Sequence, residues 1–277
     1  MLNGVGLTLI QALILGIVQG LTEFLPVSSS GHLVIFEHLL DTHLENINFD
    51  VFVHTGTLLA VLVFYRRQLI SLTGRFFKTP FDFGEKGREE DAGSVPVRWV
   101  WFIVLGTIPA VIIGLGFEDA ITSIFKNVKL VGGVLIACGV ILISTGFAKK
   151  GSNSIGLWHA IIIGLAQAMA ITPGLSRSGM TISAGLFMKI DPRKAADFSF
   201  LLSIPAVAGA TILKISDVVA SPPHNGEVTN YIIGGTSAFI VGYACIAWLL
   251  HLVKRGKFFY FGIYCGAAGL ISILFIS

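Results

Sequence analysis

The stretch Gln19–His32, QGLTEFLPVSSSGH, breaks an apolar run covering 7–40, and the reading of the whole chain turns on that break. Upstream of it, Leu, Ile, Val, Ala and Gly follow one another in helix-compatible order. Pro26 then removes a backbone donor, and Ser28, Ser29 and Ser30 supply side chains suited to starting a new helix. A second apolar region, 157–188, is broken in the same way by TPGLSRSG at 172–179. Neither reads as a simple span. At an offset of 148 positions Gly16/Gly164, Gln19/Gln167, Ser28/Ser176, Ser30/Ser178 and Gly31/Gly179 coincide.

The chain of 277 residues is 54% hydrophobic and 13% charged, with mean hydropathy +0.82. A soluble domain of this size carries more charge, so the expected solvent is a bilayer and the expected fold class is an all-α integral membrane protein. Hydropathy predicts six spans, near 50–66, 98–117, 129–148, 197–216, 229–253 and 258–276, each near the ~20 residues that cross ~30 Å of hydrocarbon. The first Lys or Arg is Arg66, so the basic start of a signal peptide is missing and the first apolar run is expected to stay in the protein. Cys138, Cys245 and Cys265 lie in apolar stretches without metal-ligand spacing and read as packing residues. The net charge of +3 is not gathered on one helical face, so no nucleic-acid partner is expected.

Basic residues collect in alternate loops, as expected for the cytoplasmic side. Fifteen of the nineteen fall in 66–98, at Lys149 and Lys150, at Lys189, Arg193 and Lys194, and at Lys254, Arg255 and Lys257; the intervening loops 118–128 and 217–228 hold only Lys126. Lys150 and Lys189 bracket 157–188, so that region leaves and returns on one face. About 32 residues cannot cross twice at ~20 per pass, and a re-entrant helical hairpin is the remaining solution. Each broken region is followed by three spans. An odd number of crossings per half opposes the two halves, giving an inverted-topology repeat of 1–148 and 149–277, each a hairpin (7–40 or 157–188) plus three spans, with the hairpin tips meeting near the midplane.

Ionisable groups in hydrocarbon are functional candidates. Glu23 follows Gln19 by one helical turn, so both project from one face just before Pro26; Arg177 stands at the tip of the second hairpin. Around them lie Ser28, Ser29, Ser30 and His32 in one break, and Thr172, Ser176, Ser178 and Thr181 in the other, each preceding a new helix. Two helix N-termini and a guanidinium suit a phosphate group. Ser29, His32 and Glu23 supply a nucleophile, a base and an orienting group. Alternatively, Gln19 and Glu23 bind a divalent cation that bridges phosphate oxygens. Asp50, His54, Asp197 and Ser203 line the following spans and read as structural. GxxxG at Gly16/Gly20 and Gly262/Gly266 reads as close helix packing.

QGLTEFLPVSSSGH at 19–32, PGLSRSGMT at 173–181 and FSFLLSIPA at 198–206 resemble the signature stretches of bacterial undecaprenyl-diphosphate phosphatases of the bacitracin-resistance type, and the likeness covers essentially the whole chain. It implies a membrane enzyme that removes the terminal phosphate of undecaprenyl diphosphate and regenerates the lipid carrier for cell-wall polymers. It further implies an inner-membrane location with the site opening to the outer face, a requirement for a divalent cation (Mg2+ or Ca2+), a polyprenyl diphosphate lipid as partner, and room for a homodimer. By the resemblance the acidic motif falls on Gln19 and Glu23, the serine and histidine on Ser29 and His32, and the phosphate-binding arginine on Arg177. Many members carry Glu where this chain has Gln19. Ser29 as nucleophile with His32 as acid/base is favoured, and His32 as direct nucleophile stays open. The rival expectation is an inverted-repeat transporter or flippase of an anionic lipid.

Overall fold

The structure, a computed structural model, describes residues 7–40, 42, 47–81, 95–117, 121, 127–149, 151–220 and 225–275. Among them the secondary structure is helical apart from one parallel bridge between Asn153 and Ile190. The two broken regions form the expected helix–break–helix units: α1 (Leu9–Phe24) with α2 (Ser29–Leu39), and α7 (Leu157–Met169) with α8 (Arg177–Phe187). Between them run α3 (Ile47–Phe64), α4 (Arg66–Lys78), α5 (Arg98–Gly116) and α6 (Val128–Ser144), the last extended by a 3-10 turn at Thr145–Phe147. After α8 come α9 (Pro192–Ala220), α10 (Asn225–Lys254) and α11 (Tyr260–Phe275). Lys86, Arg88, Lys126 and Lys150 lie outside the described residues.

Among the described residues, four helices are long and apolar enough to cross a membrane, namely α5, α6 with its 3-10 turn, α9 and α10; α1, α7 and α11 are apolar but shorter. The loop expected from residue 66 is corrected: α4 occupies its first part and bends 70° away from α3. Arg66 and Arg67 explain the turn, because two guanidinium groups at that point make a straight continuation into hydrocarbon costly. α4 is amphipathic, RRQLISLTGRFFK, with Leu72 as its buried anchor.

Each broken unit returns to the end at which it began. The amide of Asn153 donates to the Lys189 carbonyl at 3.0 Å, and the amide of Asp191 to the Asn153 carbonyl at 3.2 Å, joining the approach to α7 with the exit from α8. In the first unit Gln11 Nε2 donates to the Leu40 carbonyl at 3.2 Å.

Small residues set the helix crossings. Gly16 and Gly20 of α1 lie against Gly234, Ala238 and Gly242 of α10, and Gly164 of α7 lies against Gly106 of α5. These contacts ascend together along both chains, so α1 runs parallel to α10. Gly164 on Gly106 and Ile171 on Gly114 give α7 the same relation to α5. Conversely Gly132 meets Gly269 and Gly139 meets Gly262, which makes α6 and α11 antiparallel. α3 and α9 are antiparallel too: Asp50 pairs with Lys214 at 3.8 Å near one end, and Tyr65, just beyond α3, donates to Asp197 at 2.8 Å near the other. The glycine motifs thus serve close backbone approach, as their spacing suggests. Cys138, Cys245 and Cys265 are buried free thiols within this packing.

Candidate active site

The two breaks meet. α1 stops at Phe24, where Leu25 turns extended ahead of Pro26, and α2 restarts with Ser28 as its cap, the Ser28 hydroxyl accepting from the Gly31 amide at 3.3 Å. In the second unit Ser176 caps α8 and accepts from the Gly179 amide at 3.1 Å. The two breaks thus carry the same capping bond. Across the breaks, Ser178 donates to the Leu25 carbonyl at 3.3 Å, and Gly31 and Gly174 face each other closely.

Glu23 is the hub. Its Oε1 accepts from Arg177 Nη2 at 2.6 Å, while Oε2 accepts from the Ser29 hydroxyl at 2.6 Å and from Gln19 Nε2 at 3.1 Å. The ion pair is largely enclosed, with side-chain exposures of 7% for Glu23 and 17% for Arg177. A lone carboxylate at this depth is costly, and a charge-assisted bond on each oxygen offsets that. Gln19 is fully buried and its Oε1 has no partner.

The order of contacts differs from the nucleophile–imidazole–carboxylate relay expected from spacing. Ser29 meets Glu23 directly. His32 lies one helical turn on with both ring nitrogens engaged elsewhere: Nδ1 is 2.9 Å from the Ser28 carbonyl and Nε2 is 2.8 Å from the Tyr264 hydroxyl. Ser30 lies 3.4 Å from Ser28, and Ser176 lies 3.2 Å from Ser178, hydroxyl to hydroxyl. Thr181 donates to the Arg177 carbonyl at 2.8 Å and pairs with the Ser199 hydroxyl at 2.5 Å, anchoring the first turn of α8. Thr172 donates its backbone amide to Met169 within the turn and is no part of the ion-pair cluster.

Of the residues read as structural, Asp50, Asp197 and Ser203 make packing bonds, to Lys214, Tyr65 and Phe200 respectively. His54 differs: its Nδ1 is held by the Asp50 carbonyl at 2.8 Å, and its ring lies within electrostatic reach of Glu23. Tyr264 and Ser199 were not found from sequence. Tyr264 is one of two tyrosines in α11 and has no spacing to mark it, and Ser199 stands 18 positions from the threonine it binds.

A helical bundle of apolar helices that turns two broken helices tip to tip and places a hydroxyl, a carboxylate and a guanidinium between serine-capped N-termini is, as a class, a multi-helix membrane protein with an enclosed polar cluster. The comparisons narrow the class. The family model for bacitracin resistance protein BacA matches residues 12–271, and the chain belongs to that family. Among similar proteins, undecaprenyl-diphosphatase 2 of Bacillus thuringiensis (strain Al Hakam) is 38% identical over 270 residues, covering 97% of this chain and 98% of its own. The undecaprenyl-diphosphatase of Methanobrevibacter smithii is 39% identical over 276 residues, covering 96% of this chain and 97% of its own. That of Desulfosudis oleivorans is 39% identical over 270 residues, with 95% and 97% covered.

Proposed function

We infer that this chain is a membrane phosphatase that hydrolyses undecaprenyl diphosphate to undecaprenyl phosphate and inorganic phosphate, recycling the lipid carrier. The observation that carries the reading is the Ser29 hydroxyl on a carboxylate that also binds Arg177. The names of the relatives, matched over nearly the full length of both chains, supply the substrate.

Ser29 attacks the terminal phosphorus. Its proton passes to Glu23 Oε2, the Oγ–P bond forms, and the bond from phosphorus to the bridging oxygen breaks with its electron pair going to the departing lipid monophosphate. Glu23 releases that proton to solvent with the departing monophosphate and is a carboxylate again. Water then attacks the phosphoserine, giving a proton to Glu23, which returns it to Ser29 Oγ as the Oγ–P bond breaks, so phosphate leaves with the Ser29 hydroxyl restored. An incoming phosphate competes with Glu23 for the Arg177 fork, which leaves the carboxylate to Ser29. Amides at the first turns of α2 and α8, unsatisfied within their helices, face the same anion, with Ser28, Ser30, Ser176, Ser178 and Thr181 shaping the cradle.

The donor set fits a divalent cation, Mg2+ or Ca2+. Gln19 Oε1 is a buried oxygen without a partner, one helical turn from the Glu23 carboxylate, and hard cations take oxygen ligands. Such an ion, when bound, neutralises charge on the diphosphate. Among the described residues no group of three or more His, Cys, Asp and Glu side chains is gathered; Gln19 and Glu23 would hold the ion, with its other ligands to come from substrate and water.

For the topology, the reading is six crossing helices, α3, α5, α6, α9, α10 and α11, plus two re-entrant units, in halves 1–148 and 149–277. A two-fold axis in the membrane plane reverses direction, so equivalent helices must be antiparallel where they touch, as α3/α9 and α6/α11 are. The same operation exchanges the parallel pairs α1/α10 and α7/α5. By the positive-inside rule the basic residues beside Tyr65 and Asp197 mark the cytoplasmic end, which supports a reading with the first unit on the outer side of the bacterial cytoplasmic membrane and the site toward the outer face. A carrier built on the same repeat has no use for the Ser29–Glu23 bond, and that alternative is not favoured.

The test is phosphate release from undecaprenyl diphosphate by purified protein in detergent, with and without divalent cation. Cation-dependent release, lost in Ser29→Ala and Arg177→Ala, is expected. Well-folded wild type that releases none with cation present overturns the reading.

A further inference from the structure

The two units share their capping serines, Ser28 and Ser176, and the glycines Gly31 and Gly179 that the caps bind, but the backbone at the two caps differs. Ser28 has φ 69° and ψ 98°, a left-handed backbone that disfavours any residue with a Cβ. Its repeat counterpart Ser176 makes the same capping bond from an ordinary extended backbone, φ −75° and ψ 122°. The residue four positions on is His32 in the first unit and Met180 in the second. Strain and imidazole therefore occur together, and they occur immediately before the hydroxyl that meets Glu23.

Hydrogen-bond chemistry assigns the direction of each contact. A carbonyl oxygen only accepts, so the 2.9 Å contact makes His32 Nδ1 the donor to Ser28. In the neutral ring Nε2 is then a bare acceptor, and the Tyr264 hydroxyl at 2.8 Å donates to it. The two rings lie nearly parallel, 11° apart with centroids separated by 5.6 Å. His32 is 4% exposed. Its backbone amide also donates to the Ser28 carbonyl, at 3.1 Å, so ring and backbone grip one oxygen. A strained residue persists only where its surroundings over-determine it.

We propose that Tyr264 is a positioning residue of the site: by fixing the tautomer and plane of His32 it keeps the Ser28 carbonyl gripped, and the strained Ser28 turn in consequence aims Ser29 at Glu23. His32 on this reading orients the attacking group and does not itself exchange protons with it. The inference rests on the assignment of Ser29 as the group that attacks phosphorus.

The test uses full-length protein in detergent, with initial rates of phosphate release from undecaprenyl diphosphate. Tyr264→Phe keeps the ring and removes one hydroxyl. Its kcat is expected to fall about tenfold or more, the scale of a lost buried hydrogen bond plus partial release of strain, with KM within about twofold. A merely structural role would lower the melting temperature without that split. The decisive measurement repeats the substitution in the Ser28→Gly background. Glycine adopts this backbone without strain, so the effect of Tyr264→Phe on kcat is expected to shrink to about threefold or less. An unchanged kcat in Tyr264→Phe, or an equal loss with Ser or Gly at position 28, overturns the proposal while wild-type turnover stands. Absence of wild-type turnover overturns the underlying assignment and this inference with it.

Discussion

Glu23 and Arg177, 154 positions apart in the chain, share a 2.6 Å charge-assisted hydrogen bond at the meeting point of the two broken helices. Neither charge is tolerable alone at that depth. Together they join the two units, and each is also a group that the proposed chemistry uses. Removing one partner strands the other, which for a buried pair costs about 3–5 kcal/mol. Arg177→Ala is therefore expected to lower the thermal stability of the purified protein as well as its activity. The double variant Glu23→Gln/Arg177→Ala should be inactive yet melt higher than Arg177→Ala alone. Equal melting of the two would show that the pair has no structural role.

The cation reading predicts an asymmetric response at position 19. Gln19→Glu sets a second carboxylate one turn from Glu23, where like charges repel without an intervening ion. The variant should be half-activated at a lower cation concentration than wild type, and its melting temperature should rise more on adding Mg2+ or Ca2+. Gln19→Leu should need more cation for the same rate. Treatment with EDTA is expected to abolish release in wild type, with recovery when the ion is returned.

On the proposed reading Thr181 shapes the phosphate cradle through the backbone of α8. It ties the first turn of α8 to Ser199, and Thr181→Val keeps its shape while deleting both bonds. Loss of a buried hydrogen bond is worth ~1 kcal/mol, so kcat/KM should fall roughly fivefold. Rate measurements on Thr181→Val and Ser199→Ala should give similar losses that do not add in the double variant.

Close glycine contacts predict where methyl groups are forbidden. A Cβ on Gly164 would lie 2.5 Å from the Gly106 carbonyl oxygen, whereas one on Gly133 would meet nothing within 4 Å. Gly164→Ala should destabilise by about 1–3 kcal/mol, since overpacking forces the helices apart. Gly133→Ala should be neutral in the same detergent melt. Gly16→Ala, against Gly234 at the repeat-related crossing, should behave like Gly164→Ala.

Much of the architecture could be read from residues alone because the bilayer restricts the choices. Pro26 with three serines, and Thr172–Gly179 with its own proline and glycines, mark breaks that no uninterrupted span tolerates, and the lysines and arginines mark the ends. The same pattern placed Glu23 and Arg177 at comparable breaks. Hydropathy did not reveal α4, since its charged, amphipathic residues read as loop until a sharp bend lays them beside the bundle. Nor did it show which group each hydroxyl touches.

Sequence by itself determined the solvent, the helical class, the two broken units and the list of groups able to handle a phosphate. Those follow from composition, from the backbone's need for internal hydrogen bonds in lipid and from local helix-breaking chemistry, all of which act over a few turns. The tertiary structure decided that Ser29 lies on Glu23, that Arg177 closes the other carboxylate oxygen, and that His32 turns away toward Tyr264. Those contacts depend on glycine-spaced helices bringing residues up to 232 positions apart within hydrogen-bond reach. Local spacing carries no record of such distances.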